Sequence, residues 1–314
     1  MSSTVGSAVR AFGALAATGV AGIAYAGLVE RNLFTLRRAA APVLPPGSRP
    51  VRILQVSDLH LLPRQRRKIE WVRSLADLRP DFVVNSGDNL AAVDAVPALL
   101  RAMEPLLEYP GAFVLGSNDY FGPVFRNPAL YLTPEYARPP DIRPELPVGE
   151  LVAGLADGGW SDLNNARTVV TMRDQPVELV GVNDPHIDLD RYADVAAPAA
   201  SDVALTIGLV HAPYQRVLDA MTADGAGLVI AGHTHGGQLA VPLFGALVTN
   251  CDLDRRRAKG LSRWWPGADG APSSTAPQDA AYLHVSAGLG TSPYAPVRFA
   301  CRPEATLLTL MPRA

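Results

Sequence analysis

The residues of this chain best placed for chemistry are two imidazoles one position apart, His233 and His235, within Gly232-His233-Thr234-His235-Gly236-Gly237-Gln238. The apolar run Leu228-Val229-Ile230-Ala231 leads into them and reads as a buried strand. Glycine on both sides lets the backbone turn sharply enough for the two rings to face one point. A plain strand has no use for such glycines, so the segment suits metal ligation better than a pair of surface histidines.

The arrangement recurs. Val51 to Val56 runs into Ser57-Asp58-Leu59-His60, and Phe82-Val83-Val84 into Asn85-Ser86-Gly87-Asp88. Ala112 to Leu115 runs into Gly116-Ser117-Asn118-Asp119, and Leu205 to Val210 into His211. Five apolar strands therefore end in Asp58 with His60, Asp88, Asn118, His211, and His233 with His235. In open α/β sheets sites form at the carboxyl ends of strands, so residues far apart in sequence can converge there. A single Asp after a strand is ordinarily a helix cap or turn residue, a reading that does not account for five successive cases. Three oxygen donors and four imidazoles exceed the four ligands of one zinc site. They suit two divalent metal ions about 3.5–4 Å apart that share a carboxylate. Nitrogen and oxygen donors without thiolate favour Mn, Fe or Zn. His186 follows a sixth strand, whereas His284 lies within one and reads as a packed or half-exposed residue without a role.

The elements that must position these residues alternate in type. Helices over Arg66–Leu78 and Val96–Leu107 separate the first three strands, the pattern of an α/β unit with parallel strands. Arg167–Thr171 and Val177–Val182 read as paired strands, and Tyr214–Thr222 as a helix. Two late strands, Tyr282–Val285 and Ala305–Leu310, are expected to close a second sheet. Residues 120–149, rich in Pro, Tyr and Arg, read as an irregular insertion beside the site.

Composition excludes several classes. With 48% hydrophobic and 18% charged residues, the 314-residue chain can bury a sizeable core. A formal net charge of −2 leaves no footprint for nucleic acid. Two cysteines, Cys251 and Cys301, rule out a disulfide scaffold and a Cys-rich zinc site.

Ala11 to Val29 holds 19 residues without a charge, just enough to span a bilayer as a helix. It fits a signal-anchor, a signal peptide cleaved near Ala24-Tyr25-Ala26, or a helix lying on the domain or in the membrane interface. Arg10 alone precedes the run, whereas Arg31, Arg37, Arg38, Arg49 and Arg52 follow it, which keeps the C-terminal side in the cytoplasm. The expected plan is an anchor and Pro-rich linker over residues 1–50 and a domain over 51–314 with an insertion near 120–150. That plan attaches the protein to the cell membrane by one N-terminal anchor, the domain facing the cytoplasm and export being the alternative.

Asp58-Leu59-His60, Gly87-Asp88-Asn89, Gly116-Ser117-Asn118-Asp119, His211 and Gly232-His233-Thr234-His235 together resemble the motifs of the calcineurin-like metallophosphoesterases, in the family's order and spacing. The N-terminal apolar segment, the Gly-Gly-Gln after His235 and Ala287-Gly288-Leu289-Gly290 further resemble a membrane-associated subgroup that includes UDP-diacylglucosamine pyrophosphatase-like enzymes. The resemblance implies an α/β, four-layer αββα sandwich of two mixed sheets. It implies that Asp58, His60 and His235 hold one metal, that Asn118, His211 and His233 hold the other, and that Asp88 bridges them. A hydroxide between the ions would attack phosphorus.

One block departs from the family. Gly-Asn-His followed by an acid is usual, but Gly116-Ser117-Asn118-Asp119 stands here, so the usual catalytic His is absent. Aligned without a gap, Ser117 takes the place of the ligand Asn and Asn118 that of the His; Asn118 is expected to reach the metal across a turn shifted by one residue. Asp119 or His186 is left to supply a proton, with turn stabilisation the alternative for Asp119. Asp184, His186 and Asp188 are candidates for substrate contact. Two basic clusters, Arg64 to Lys68 and Arg255 to Lys259, suit either a solvated surface or an anionic partner. The expected function is hydrolysis of phosphodiester or pyrophosphate bonds in lipid- or nucleotide-linked substrates. The rivals are a phosphatase of soluble substrates and a metal-stabilised binding module.

Overall fold

The computed structural model describes residues 17–127, 133 and 142–313. In chain order the strands are β1 (Thr35–Leu44), β2 (Val51–Val56), β3 (Phe82–Asn85), β4 (Gly111–Phe113), β5 (Ser161–Asp162), β6 (Ala166–Met172) and β7 (Gln175–Gly181). They continue with β8 (Leu205–Leu209), β9 (Leu228–Ala231), the short hairpin β10 (Ala240–Val241) and β11 (Gly245–Ala246), β12 (Gly260–Trp264), β13 (Ala281–Val285) and β14 (Glu304–Pro312). The main helices are α1 (Arg66–Ser74), α2 (Val96–Met103), α3 (Val148–Asp157) and α4 (Gln215–Ala223).

Two six-stranded mixed sheets result, ordered β1-β14-β2-β3-β4-β5 and β12-β13-β9-β8-β7-β6. Strands β2 to β5 run parallel, as do β13, β9, β8 and β7, and antiparallel pairs occur at β14–β2, β12–β13 and β6–β7. Successive side chains on a strand point to opposite faces, and the core divides accordingly. Ile53, Phe82, Val84, Leu308 and Leu310 meet Val177, Leu179, Ile207, Leu228 and Ile230 between the sheets. Leu54, Val83 and Leu307 face outward onto Ile69 and Val72 of α1, Leu99 and Met103 of α2, and Leu151 and Leu155 of α3. On the far side Val180, Val229 and Leu283 pack against Val217, Leu218 and Met221 of α4. Helices, sheet, sheet, helix: the four layers follow from this period of two.

Two expectations need correction. The stretch read as a Pro-rich linker contains a strand, because β1 pairs in parallel with β14 from Thr35↔Glu304 to Leu44↔Pro312. Pro42 is tolerated there since β1 is an edge strand. The two late strands do not close one sheet: β13 joins the second and β14 enters the first between β1 and β2. The insertion near 120–150 is partly outside the described residues, and its described ends pair as Phe121 with Glu145.

Residues 17–24 are helical and continue through turns at Tyr25–Val29 and Glu30–Asn32. Val20, Ile23 and Leu28 are exposed, while Ala26 and Glu30 are buried. The backbone N–H of Arg298 donates to Ala26 O at 3.1 Å, and that of Cys301 to Glu30 Oε1 at 2.7 Å. The first part of the expected anchor, 11–16, lies outside the described residues; among those described, no helix is long and apolar enough to cross a membrane.

Candidate metal centre

Each candidate ligand sits where a strand stops. Asp58 and His60 follow β2, Asp88 follows β3 and Asn118 follows β4, so these come from the first sheet. His211 follows β8, and His233 and His235 follow β9, in the second. Asp58, His60, Asp88, His233 and His235 all have left-handed backbone, with φ between 39° and 68°. Non-glycine residues adopt that region rarely, and concentrations of them mark sites where the fold stores strain for a purpose.

The ligand atoms of Asp58, His60, Asp88 and His235 all lie within 4.8 Å of one another. His60 Nε2 is 3.1 Å from His235 Nε2, and His235 Nε2 is 3.7 Å from Asp58 Oδ1. Two nitrogens on one tetrahedral cation at about 2.0–2.1 Å stand roughly 3.3 Å apart, so the first pair suits a shared ion. Asp88 Oδ2 lies 3.4 Å from His60 Nε2 and also 3.4 Å from His211 Nε2. Beyond it the rings of His211 and His233 are 5.3 Å apart, and that of His186 is 4.6 Å from His233.

The histidines are oriented by their other nitrogen. His211 Nδ1 donates to Ser86 O at 2.7 Å, leaving a buried Nε2 without a hydrogen-bond partner. His233 Nε2 is 3.1 Å from Asn250 O, which leaves Nδ1 to ligate. Backing a ligating imidazole with a carbonyl is how metal sites hold tautomer and ring direction. With buried nitrogen and oxygen donors and no thiolate among them, the residues fit divalent cations.

Electrostatics agrees. Burial, helped by Asp88, pushes Asp58 up to about 6. Burial also opposes charge on Asp88, but His211 and His60 outweigh it and hold that carboxyl well below the usual range. Burial alone would lower His211, yet Asp88 beside it raises it well above 6.5. Burial brings His60 down to about 4 and keeps His233 and His235 well below their ordinary value. Neutral imidazoles around an ionised carboxylate are what a cation needs.

The remaining candidates separate. Asn118 donates through its backbone N–H to Asp88 Oδ1 and through Nδ2 to Asp88 Oδ2, each at 2.8 Å, so its Oδ1 is the atom left for a cation. Asp119 is buried and accepts from the N–H groups of Asp88, Asn89 and Gly116, bonds that belong to a turn-stabilising group. Asp184 is fully buried, with one oxygen accepting from His186 N–H and the other unpartnered; burial, then Asp88, push it up to about 7. His186 lies over His233 with Nδ1 3.0 Å from Tyr214 Oη, and burial lowers it to about 4. Asp188 is exposed, at the end of the same turn.

Two participants carried no sequence signal. Arg298 is fully buried and lies 3.3 Å from His235 Nδ1, while donating to Ala287 O at 2.7 Å and Gly290 O at 2.7 Å. Arg143, at the described end of the insertion, stacks 4.4 Å over Phe121 and feels the charges of Asp88 and Asp184. A lone arginine outside any motif gives nothing to read.

The sequence profile described as calcineurin-like phosphoesterase matches residues 51–237. The chain is 25% identical over 316 residues to the uncharacterized metallophosphoesterase YkuE of Bacillus subtilis (strain 168), covering 95% of this chain and 94% of that one. It is 26% identical over 297 residues to the phosphodiesterase YaeI of Escherichia coli (strain K12), covering 92% and 93%. The crystal structure of TT1561 of Thermus thermophilus aligns with a TM-score of 0.40 and 15% identity, covering 77% of this chain and 91% of that one.

Proposed function

Because the chain belongs to the calcineurin-like phosphoesterase family, we propose that it hydrolyses phosphodiester or pyrophosphate bonds at a centre for two divalent cations, Mn, Fe or Zn. In this reading Asp58, His60 and His235 hold one ion, Asn118, His211 and His233 hold the other, and Asp88 serves both. The observation that carries it is the position of Asp88 Oδ2, at the same 3.4 Å from a histidine of each group. Bound there, the ions supply Lewis acidity and a water acidified for attack on phosphorus. Asn118 and His211 orient Asp88, and Ser86 and Asn250 orient the histidines. In place of the missing family histidine, His186 with Tyr214, and Arg143 beyond them, face the leaving group. A phosphate or an activated alcohol leaves with a lower pKa than a simple alkoxide and needs little proton help, which suits a pyrophosphate or an activated ester.

The exposed Val20, Ile23 and Leu28 support attachment to the cell membrane, and with it a lipid-linked substrate; the arginines that follow the apolar run support a domain on the cytoplasmic side. Replacing Asp88 by Asn is expected to abolish hydrolysis of a chromogenic phosphodiester and to lower bound metal from two equivalents. Zero turnover by the metal-loaded parent across diesters, monoesters and pyrophosphates would instead make the protein a binding module.

A further inference from the structure

Arg31, Arg64 and Lys68 come from three places in the chain and meet around one cavity of about 460 Å³. Arg31 arrives from the turn after the N-terminal helix, Arg64 from the loop before α1, and Lys68 from the first turn of α1. Asn32, Gln65 and Thr291 add uncharged polar groups, and among the described residues no carboxylate lines the space. The fold thereby divides the basic cluster seen in the sequence. Arg66 and Arg67 are exposed outside the cavity, Arg64 is exposed but lines it, and Lys68 lines it while only 6% exposed.

Two of these cations bury charged atoms without the partners that burial demands, Lys68 and the Nε of Arg31, whereas Arg64 is exposed at the rim. Lys68 Nζ uses one of its three N–H groups, donating to Leu59 O at 2.7 Å. The charges that bear on it are Arg298 and Arg31, both positive, and with burial they push it down to about 7. The Nε of Arg31 is buried without a hydrogen-bond partner. Among the described residues no ion pair reaches Arg31, Arg64 or Lys68. The cavity also shares a wall with the metal centre: Leu59 lies between Asp58 and His60, and Gly290, on the cavity lining, donates to Asp58 O at 2.6 Å.

We propose that this cavity binds a phosphate group, held by Arg31, Arg64 and Lys68 beside the metal centre. During turnover it takes a second phosphoryl group of the substrate, a role that rests on the hydrolase reading; binding itself needs no cation. That phosphate can come from a lipid headgroup or from a soluble molecule. The exposed Val20, Ile23 and Leu28 lie on the same segment as Arg31, which would set the cavity at headgroup depth.

The test titrates the full-length, chelator-treated chain with inorganic phosphate by calorimetry, and sediments it with phosphatidylcholine vesicles with or without phosphatidic acid. The parent is expected to bind phosphate, the pair Arg31→Ala with Arg64→Ala to bind about tenfold more weakly or worse, and Arg66→Ala with Arg67→Ala to match the parent. If dependence on phosphatidic acid is lost only in the cavity pair, the headgroup is the source; if it is the same in all three, the source is soluble. Equal phosphate affinity in parent and cavity pair, or none in the parent, overturns the proposal. Should circular dichroism show the alanine pair unfolded, Arg31→Gln with Arg64→Gln replaces it under the same expectations. No turnover enters the titration, so a failed hydrolase reading leaves the result interpretable.

Discussion

Gly116 leaves no space for a side chain: a Cβ there would strike Asp88 Oδ1 and lie 2.6 Å from His211 Cδ2. Gly116→Ala must therefore displace the carboxylate on which both groups of ligands converge. It is expected to cost about 1–3 kcal/mol of stability by overpacking and to remove most diester hydrolysis, read from urea unfolding and initial rates. His284 carries a pH prediction. Burial depresses it from 6.5 to about 4, while Gln55 Oε1 holds its Nδ1 at 2.7 Å. The folded state then binds fewer protons than the unfolded one between these values. Stability is full above pH 6.5 and falls as pH drops towards 4, by about 3 kcal/mol. Urea midpoints at pH 7 and 4.5 in chelator should show that loss in the parent and a smaller one in His284→Gln. At this scale the centre was largely legible, because Asp and His at strand ends after apolar runs betray themselves by type and position. Arg298 was not, since its place beside His235 depends on a late loop folding back.

Among the elements, β1 matters most for experiments. Reading residues 39–50 as a linker invites a fragment beginning at Val51, but Ala41, Val43 and Leu44 are at most 2% exposed and pack between the sheets. Removing Val43 and Leu44 alone forfeits about 3–6 kcal/mol of burial and bares the edge of β14. Against a typical total of about 5–15 kcal/mol, a 51–314 fragment should aggregate where 33–314 stays folded, as yield and thermal melts would tell. Local pattern found the strands that precede the ligands, because each is a short apolar run closed by turn residues. It missed β1 because Thr35–Leu44 carries arginines, alanines and a proline, and only pairing with a strand far along the chain holds it extended. The fate of the two late strands was hidden for a similar reason, as sheet membership depends on long-range pairing.

Across the whole molecule the centre joins two halves. Asp58, His60, Asp88 and Asn118 come from one sheet, and His211, His233 and His235 from the other. Cations held there would pin the sheets at their carboxyl ends, and their binding would stabilise the fold as a whole. At a thousandfold excess over the dissociation constant the gain is about 4 kcal/mol. Thermal melts should fall on adding chelator and recover with manganese, and an unchanged melt would mean that the cluster holds no metal.

The clamp of Ala26 and Glu30 onto Arg298 and Cys301 gives the molecule a stiff neck. Arg298 also reaches His235, so the route from the leading helix to the reactive residues contains no swivel. Were a surface to grip that helix, it would set both the altitude and the heading of the catalytic mouth.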